Sequence, residues 1–424
     1  MKETDSLYQS PRGTEDILPE DQPYWHFVRQ QAARIAALYG YQRTDTPVFE
    51  DAGLFVRSVG EGTDIVSKEM YTFEDRGGDK LTLRPEGTAP ICRAYLEHGM
   101  QTRTKPVKLY YLSSIFRYDR PQAGRYRQHH QFGFEAIGEA DASLDAEVIE
   151  MAWRFYNLLG INDLSLELNS IGCRECRPAY ISALKAYYQR YEGKLCSDCK
   201  TRLDKNTLRL LDCKREECQC VAENAPRSAD YLCPDCLAHY NRLKECLTVV
   251  DLPFHENFRL VRGLDYYSRT VFEIQPRIEG AQSTIGGGGR YDGLIEQLGG
   301  EPTPAIGFAT GIERIILNLK RQGITPPSLP SPSVFLAYMG EATSLASVAL
   351  ASDLRKAGIG IYQTYAQKSI KAQLRQANSL GADWAVILGE EELKQGCAVL
   401  RNMKEAGQAT IPLDQLICEI KKQI

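Results

Sequence analysis

Residues 107–138 read VKLYYLSSIFRYDRPQAGRYRQHHQFGFEAIG, and the rest of the chain is interpreted outward from them. Val107 to Tyr118 and Gln131 to Ile137 are rich in β-branched and aromatic residues, which predicts two strands. A Pro- and Gly-containing turn region between them carries Arg120, Arg125 and Arg127. Side chains alternate faces along a strand. Gln131, Gly133 and Glu135 therefore share one face, and Phe132, Phe134 and Ala136 the other. The aromatic face is suited to packing on helices. An amide, an acid and a missing side chain on the opposite face suggest a ligand floor, with Arg117 nearby if the strands pair as a hairpin. An edge hairpin with a solvated polar face would need neither Gly133 nor so many arginines in its loop.

Upstream, Asp21 to Tyr39 predicts an amphipathic helix: Trp25, Val28, Ala32, Ile35 and Leu38 recur at helical spacing, and Gly40 is a suitable C-terminal cap. Tyr41 to Phe49 follows as an expected strand containing Pro47. Met70 to Phe73 and Lys80 to Arg84 predict a hairpin around Gly77-Gly78. It leads into Leu83-Arg84-Pro85-Glu86-Gly87-Thr88, which on its own is a turn before a helix at Ala89 to His98, with Thr88 as cap.

Downstream, helix Leu144 to Gly160 and strand Leu164 to Asn169 precede a cysteine-rich segment. Ten of the thirteen cysteines lie between Cys173 and Cys246. Three CxxC pairs, Cys173/Cys176, Cys196/Cys199 and Cys233/Cys236, indicate zinc, because that spacing places two thiolates on one tetrahedral ion. Cys213, Cys218 and Cys220 lie between them, and which pairs share an ion is left open. Helical patterning covers Tyr180 to Tyr191 and His239 to Val249. The expected zinc site is structural and far from any chemistry; the alternative is a helical subdomain of reduced thiols. Next come FRLVRGLDYYSRTVFE (258–273) and Ser283 to Asp292, which contains Gly286-Gly287-Gly288-Gly289-Arg290-Tyr291-Asp292. Arg259 to Arg262 and Ser268 to Ile274 are expected strands. The four glycines lack the Lys-Ser/Thr of a phosphate-binding loop but permit close backbone approach to a ligand. Ala305 to Thr310 is an expected strand and Gly311 to Lys320 a helix, with Arg314 in its first turn. Pro326 to Pro332 is a proline-rich linker. Alternating β and α patterns then run through Val334–Met339, Thr343–Ala357, Ile359–Tyr365, Ser369–Leu380 and Trp384–Leu388, a small α/β domain. Lys368, Lys371 and Arg375 mark one basic face on it.

Composition sets the outer bounds. The chain has 424 residues, 43% of them hydrophobic and 25% charged, enough for a large core and about three domains. A formal net charge of −4 means that nucleic acid could be held only through local basic patches. The polar N-terminus has no apolar targeting segment, and no apolar run approaches the roughly 18 residues of a membrane span. A cytoplasmic location is expected, and a reducing compartment favours metal over disulfides for the cysteines.

The run Phe116 to Gln131, FRYDRPQAGRYRQHHQ, resembles motif 2 of class II aminoacyl-tRNA synthetases in the form found in histidyl-tRNA synthetases. Residues 83–88 are similar to that family's LRPEGT segment, 260–273 to its LVRGLDYY-x-RTVFE signature and 307–314 to motif 3, GFATGIER. The long helix and proline-containing strand resemble motif 1, the dimer-forming element. The resemblance implies an α+β catalytic domain over residues 1–325, an antiparallel sheet with flanking helices. It is interrupted at 172–250 by the Cys-rich helical insertion and followed by a linker, 326–333, and an anticodon-binding α/β domain, 334–424. It implies ATP-dependent charging of histidine tRNA through histidyl-adenylate, with Mg²⁺, by a homodimer.

Residue roles follow from the same resemblance. Arg117 and Arg262 would meet the histidine carboxylate and the α-phosphate, and Arg314 the outer phosphates; Arg125 would also touch ATP. Glu86, Gly87, Thr88 and Gln131 would hold the amino group. Glu135 and Tyr267 would partner the imidazole nitrogens, with Tyr266 and Tyr291 lining the pocket. Arg120 and Gln122 would meet the tRNA acceptor end. A site that hydrogen-bonds both ring nitrogens rejects an analogue lacking them by roughly 10⁴ or more, so no editing domain is needed. The rival is a synthetase-like paralogue that senses histidine as a regulatory subunit of ATP phosphoribosyltransferase. Such proteins usually lose the C-terminal domain and parts of motifs 2 and 3, all present here. A zinc-dependent nucleic-acid binder would explain the cysteines but not the pocket residues.

Overall fold

The structure is a computed structural model that describes residues 8–60, 63–122, 124–277, 284–365, 368–405 and 407–424. Ser283, the first residue of the expected glycine-rich segment, lies outside them. The chain divides into two compact units, Met1–Pro327 and Ser328–Ile424.

The first unit is organised by an eight-stranded sheet. Its order is Gln42–Arg43, Val107–Phe116, Gln128–Ile137, Ala305–Gly311, Gly286–Arg290, Ser268–Pro276, Leu164–Ser170 and His255–Glu256. The inner pairings are antiparallel and the two short outer strands pair parallel. The 107–138 stretch forms the expected hairpin, with Tyr111 opposite Gly133 and Leu109 opposite Glu135. Alternation gives the sheet two different faces. Phe132, Phe134 and Phe308 point into a core shared with helices Gln22–Leu38, Ala142–Leu158 and Ile312–Arg321. The other face carries Tyr111, Val271, Tyr267 and Tyr291 and packs against the Cys-rich insertion.

Two expected strands do not form. Tyr41 to Phe49 splits: Gln42–Arg43 joins the large sheet, and Phe49–Asp51 joins a separate three-stranded sheet with Lys80–Leu83 and Tyr71–Glu74. Pro47 has no N–H to give a ladder, and the buried Arg84 guanidinium donates to Thr46 O at 2.8 Å, Pro47 O at 3.1 Å and Ser114 O at 2.8 Å. Arg259 to Arg262 is likewise irregular. Asn169 Nδ2 donates to Phe258 O and Leu260 O, satisfying there the acceptors that a neighbouring strand would have used.

The insertion contains helices Arg177–Gln189, Ser197–Lys205, Glu216–Ala222 and Pro234–Val249. The second unit has a five-stranded sheet, ordered Ile361–Gln363, Val334–Tyr338, Trp384–Leu388, Cys397–Asn402 and Gln408–Pro412. The first three strands are parallel and the last two antiparallel.

Candidate active site

A cavity of about 260 Å³ opens on the sheet face opposite the helices. Its walls bring together residues far apart in sequence: Glu86, Thr88, Arg117, Gln131, Arg262 and Arg314. Gly87, Arg125, Tyr266 and Tyr267 also line it. Glu135 and Tyr291 lie beneath the lining, and Arg120 and Gln122 lie outside it on an exposed turn.

The cavity floor is acidic and buried. Glu86 is buried, and its carboxylate accepts from Thr88 N at 2.7 Å and Ala89 N at 2.8 Å, the first free amides of helix Thr88–Glu97. The expected cap was Thr88; Glu86 does that work instead, because a carboxylate satisfies two helix-end donors at once. Thr88 Oγ1 is thereby free to donate to Glu135 Oε1 at 2.8 Å. Tyr291 OH donates to Glu135 Oε2 at 2.7 Å. Burial raises the Glu86 pKa, opposed by its two backbone bonds. Burial pushes Glu135 to about 8, against the pull of the Tyr291 and Thr88 bonds.

The glycines make room for this floor. The Tyr111 ring lies between Gly87 and Gly133, where an added Cβ would sit 2.4 and 2.3 Å from it. Gly307, opposite Glu135 in the ladder, would place a Cβ 1.7 Å from Glu135 Oε2. The four-glycine run is a buried strand rather than a loop. Gly286 and Gly287 both line the cavity, but only Gly287 points into it, toward Arg262; a Cβ on Gly286 would meet Tyr156 and Phe308 on the core side, and one on Gly288 would sit 2.0 Å from Gly307 O.

The other wall is cationic. Arg117 Nε donates to Pro85 O at 2.7 Å. Arg314 donates from Nε to Gly124 O at 3.0 Å and from Nη1 to Thr284 O at 2.8 Å. Burial lowers the Arg314 pKa, and the neighbouring Arg125 cation lowers it further. Arg125 pairs with Asp119 at 2.7 Å. Arg262 pairs with Glu273, and its buried Nε has no partner among the described residues. Burial, the largest single influence, pulls its pKa down, but Glu273 together with Tyr267 and Tyr266 leaves it raised. Several guanidiniums held together in a half-closed cavity repel one another unless an anion arrives.

Sequence reasoning overlooked four residues here. Tyr111 supports Gly87 and Gly133, and the hairpin register alone could have paired it with Gly133. Glu273 stands in the quoted 258–273 run, and a buried Arg262 called for a carboxylate. His129 lines the cavity, its pKa pressed down to about 3 by burial and by Arg117, so it is neutral. Glu313 accepts from His130 N and bonds His130 Nδ1 at 2.8 Å, tying the helix after motif 3 to the hairpin.

Eight of the ten cysteines between Cys173 and Cys246 fall into two groups of four. Cys173, Cys176, Cys233 and Cys236 form one; Cys196, Cys199, Cys213 and Cys218 form the other. Cys213 and Cys218 were not among the six candidates, because they lie outside the CxxC spacing that marked those. The expected distance from the chemistry does not hold either: Arg177, next to Cys176, donates to the carbonyl of Tyr267.

A mostly antiparallel sheet bearing an acidic floor and an arginine wall, within an α+β unit followed by a small α/β unit, is the arrangement of a class II aminoacyl-tRNA synthetase. Residues 13–315 match the histidyl-tRNA synthetase family and residues 333–423 an anticodon-binding domain family. A histidine–tRNA ligase of Dehalococcoides mccartyi is 98% identical over 418 residues, 99% of this chain and 100% of that one. One from Desulforamulus reducens is 50% identical over 98% of this chain and 99% of its own. The solved structure of apo histidyl-tRNA synthetase from S. aureus superposes with a TM-score of 0.82 at 38% identity, covering 98% of this chain and all of that one. This chain belongs to the histidyl-tRNA synthetase family.

Proposed function

We propose that this cavity joins L-histidine to ATP as histidyl-adenylate and then passes the histidyl group to the terminal ribose of histidine tRNA. The observation that carries the reading is the meeting in one cavity of a buried carboxylate, Glu86, with a second, Glu135, bonded beneath it, and the four guanidiniums of Arg117, Arg125, Arg262 and Arg314. Histidine brings an ammonium, an imidazole and a carboxylate. Glu86, Thr88 and Gln131, with Gly87 leaving space, take the ammonium. Glu135 reads one ring nitrogen and Tyr267 the other, with Tyr266 and Tyr291 enclosing the ring. Burial resists the ionisation of both acids, so a ligand with cationic or N–H donors would favour their charged forms.

The nucleophile is the substrate carboxylate, already ionised at neutral pH, so no general base is required for adenylation. The barrier comes from bringing two anions together, and fixed cations lower it where charge develops on the α-phosphate. Arg117 and Arg262 are assigned to that point, and Arg314 and Arg125 to the rest of the triphosphate. Mg²⁺ accompanying ATP would offset phosphate charge and would be held chiefly through the nucleotide, so it would need no all-protein cage. Arg120 and Gln122, exposed on the turn between the two strands, are assigned to the tRNA acceptor end. A homodimer is part of the proposal: Phe49 and Phe73 stand exposed and in edge contact on the three-stranded sheet, with exposed Val48 preceding Phe49, an apolar patch that a second copy would cover.

The regulatory reading needs the histidine pocket but not cations for triphosphate. Arg117, Arg262 and Arg314 lining one cavity speak against it, as does the second unit. Histidine-dependent ATP–pyrophosphate exchange, with other amino acids as controls, decides the matter. Exchange with histidine alone is expected. Histidine binding without exchange would transfer the chain to the regulatory reading.

A further inference from the structure

We propose that the insertion holds two tetrathiolate zinc ions, and that they fix the Arg262–Tyr267 segment of the histidine pocket. Within each group of four cysteines all Sγ atoms lie within 4.8 Å of one another. In the first, Cys173–Cys176, Cys173–Cys233 and Cys176–Cys236 are 3.7, 3.9 and 3.8 Å apart. In the second, Cys196–Cys213 is 3.9 Å. Four sulfurs about 2.3 Å from one tetrahedral ion are about 3.8 Å from each other. A disulfide needs about 2.05 Å, and every one of these thiols is free. The ligands come from separate turns, so convergence of all eight is not an accident of one loop.

The surroundings suit thiolates. Cys176, Cys196 and Cys233 each stand at the start of a helix, where free amides favour negative charge. Cys173 N donates to Cys176 Sγ and Cys196 N to Cys218 Sγ, both at 3.3 Å. Between residues 190 and 233 the insertion has only short helices of nine and seven residues and 3₁₀ turns. Such a segment has little core of its own and gains most from a cross-link. Four sulfur ligands with no open position select structural zinc over a catalytic metal.

The link to the pocket is direct. Residues 258–267 form no strand and have few backbone bonds to neighbouring segments, such as Asp265 N to Val59 O, so side chains supply much of their support. From the first group, Arg177 follows Cys176 and donates to Gly172 O at 3.0 Å and to Tyr267 O. From the second, Asn206 ends the helix begun at Cys196 and donates to Asp265 Oδ1 at 2.8 Å. Arg209, paired with Asp212 beside Cys213, lies against Gly263. Each metal group therefore anchors the segment that carries Arg262, Tyr266 and Tyr267, one at its Tyr267 end and one around Gly263 and Asp265.

The second half of this proposal rests on the histidine-site reading; the first does not. Zinc in the full-length protein, measured by elemental analysis, is expected at two per chain. Cys236→Ser should lose one and Cys213→Ser the other. Should either variant fail to fold, zinc release from the wild-type chain during titration with a mercurial is the second measurement, with two zinc released as thiols are capped. Histidine affinity by calorimetry should fall at least tenfold once zinc has left. Less than half a zinc per chain in protein that binds histidine would overturn the metal sites. Two zinc whose release leaves histidine affinity unchanged would overturn the coupling. A wild-type chain that holds two zinc but binds no histidine would sink the pocket reading and, with it, the coupling, while leaving the metal sites standing.

Discussion

Replacing Glu135 by Gln keeps the size and removes the titratable acid, but it turns one of the two oxygens that accept from Thr88 and Tyr291 into an amide donor, so one of those hydroxyls must reverse and accept. In the empty pocket burial moves this group from 4.5 to about 8. At about 1.36 kcal/mol per pKa unit, that shift represents on the order of 5 kcal/mol of resistance to ionisation. The sign follows from linkage. The folded chain keeps the proton to higher pH than the unfolded chain does, so this group's stabilisation is complete below about 4.5 and is lost as pH rises through about 8. Glutamine has no such slope. The stability of Glu135→Gln relative to wild type, from denaturant midpoints at a series of pH values, should therefore rise between pH 5 and pH 8 and level off above. Activity should move the other way. Losing the charged acceptor of a buried hydrogen bond costs roughly 2–5 kcal/mol, about 30- to 5,000-fold in histidine-dependent pyrophosphate exchange. A variant that is more stable near pH 8 and poorer in exchange is the expected pair of results. Exchange within threefold of wild type, or stability curves that stay parallel from pH 5 to 9, would refute the assignment of a strained acid waiting for imidazole.

Gly133→Ala forces a Cβ 2.3 Å from the Tyr111 ring, overpacking that should cost about 1–3 kcal/mol in denaturation and raise the KM for histidine more than that for ATP. Arg290→Met removes one partner of a fully buried ion pair whose other member, Asp145, is bonded at 2.7 Å; a loss of about 3–5 kcal/mol in stability is expected from chemical denaturation. Arg262→Lys keeps the charge but not the planar fork, and should lower kcat for exchange by about 10²-fold, the scale of removing one preorganised donor, with thermal stability close to wild type.

The hairpin, its two faces and the helix order were legible because they rest on local periodicity. Phe132 and Phe134 went to the helical core and Gln131 and Glu135 to the ligand face by alternation alone. What escaped depended on partners distant in sequence. Nothing near Tyr41 says that the strand after it will break in two, because the Arg84 guanidinium that takes up Thr46 and Pro47 is nearly forty residues further on. Cys213 and Cys218 carried no spacing signal, since their partners Cys196 and Cys199 are brought to them by the fold. Likewise the glycine run could not be recognised as a buried strand until Gly307 was found across from Gly289, its backbone oxygen against Gly288.

Arginine shows why the site needed three dimensions. Arg84 and Arg290 stand in motif segments as conspicuous as those of Arg117, Arg262 and Arg314, and composition does not separate them. Their hydrogen bonds do. Arg290 spends its nitrogens on Asp145, Asp292, Glu139 O and Asp141 O, and Arg84 bonds two carbonyls that the broken strand left behind and a third, Ser114 O, on the neighbouring hairpin. Among the described residues Arg117 bonds only through Nε, and Arg262 leaves its Nε bare. A guanidinium has five donors. Where the protein uses them up, the residue holds the fold. Where its donors are left unspent beside a cavity crowded with cations, the arrangement suits an anion, and in the proposed adenylation the carboxylate and phosphates would fill that role.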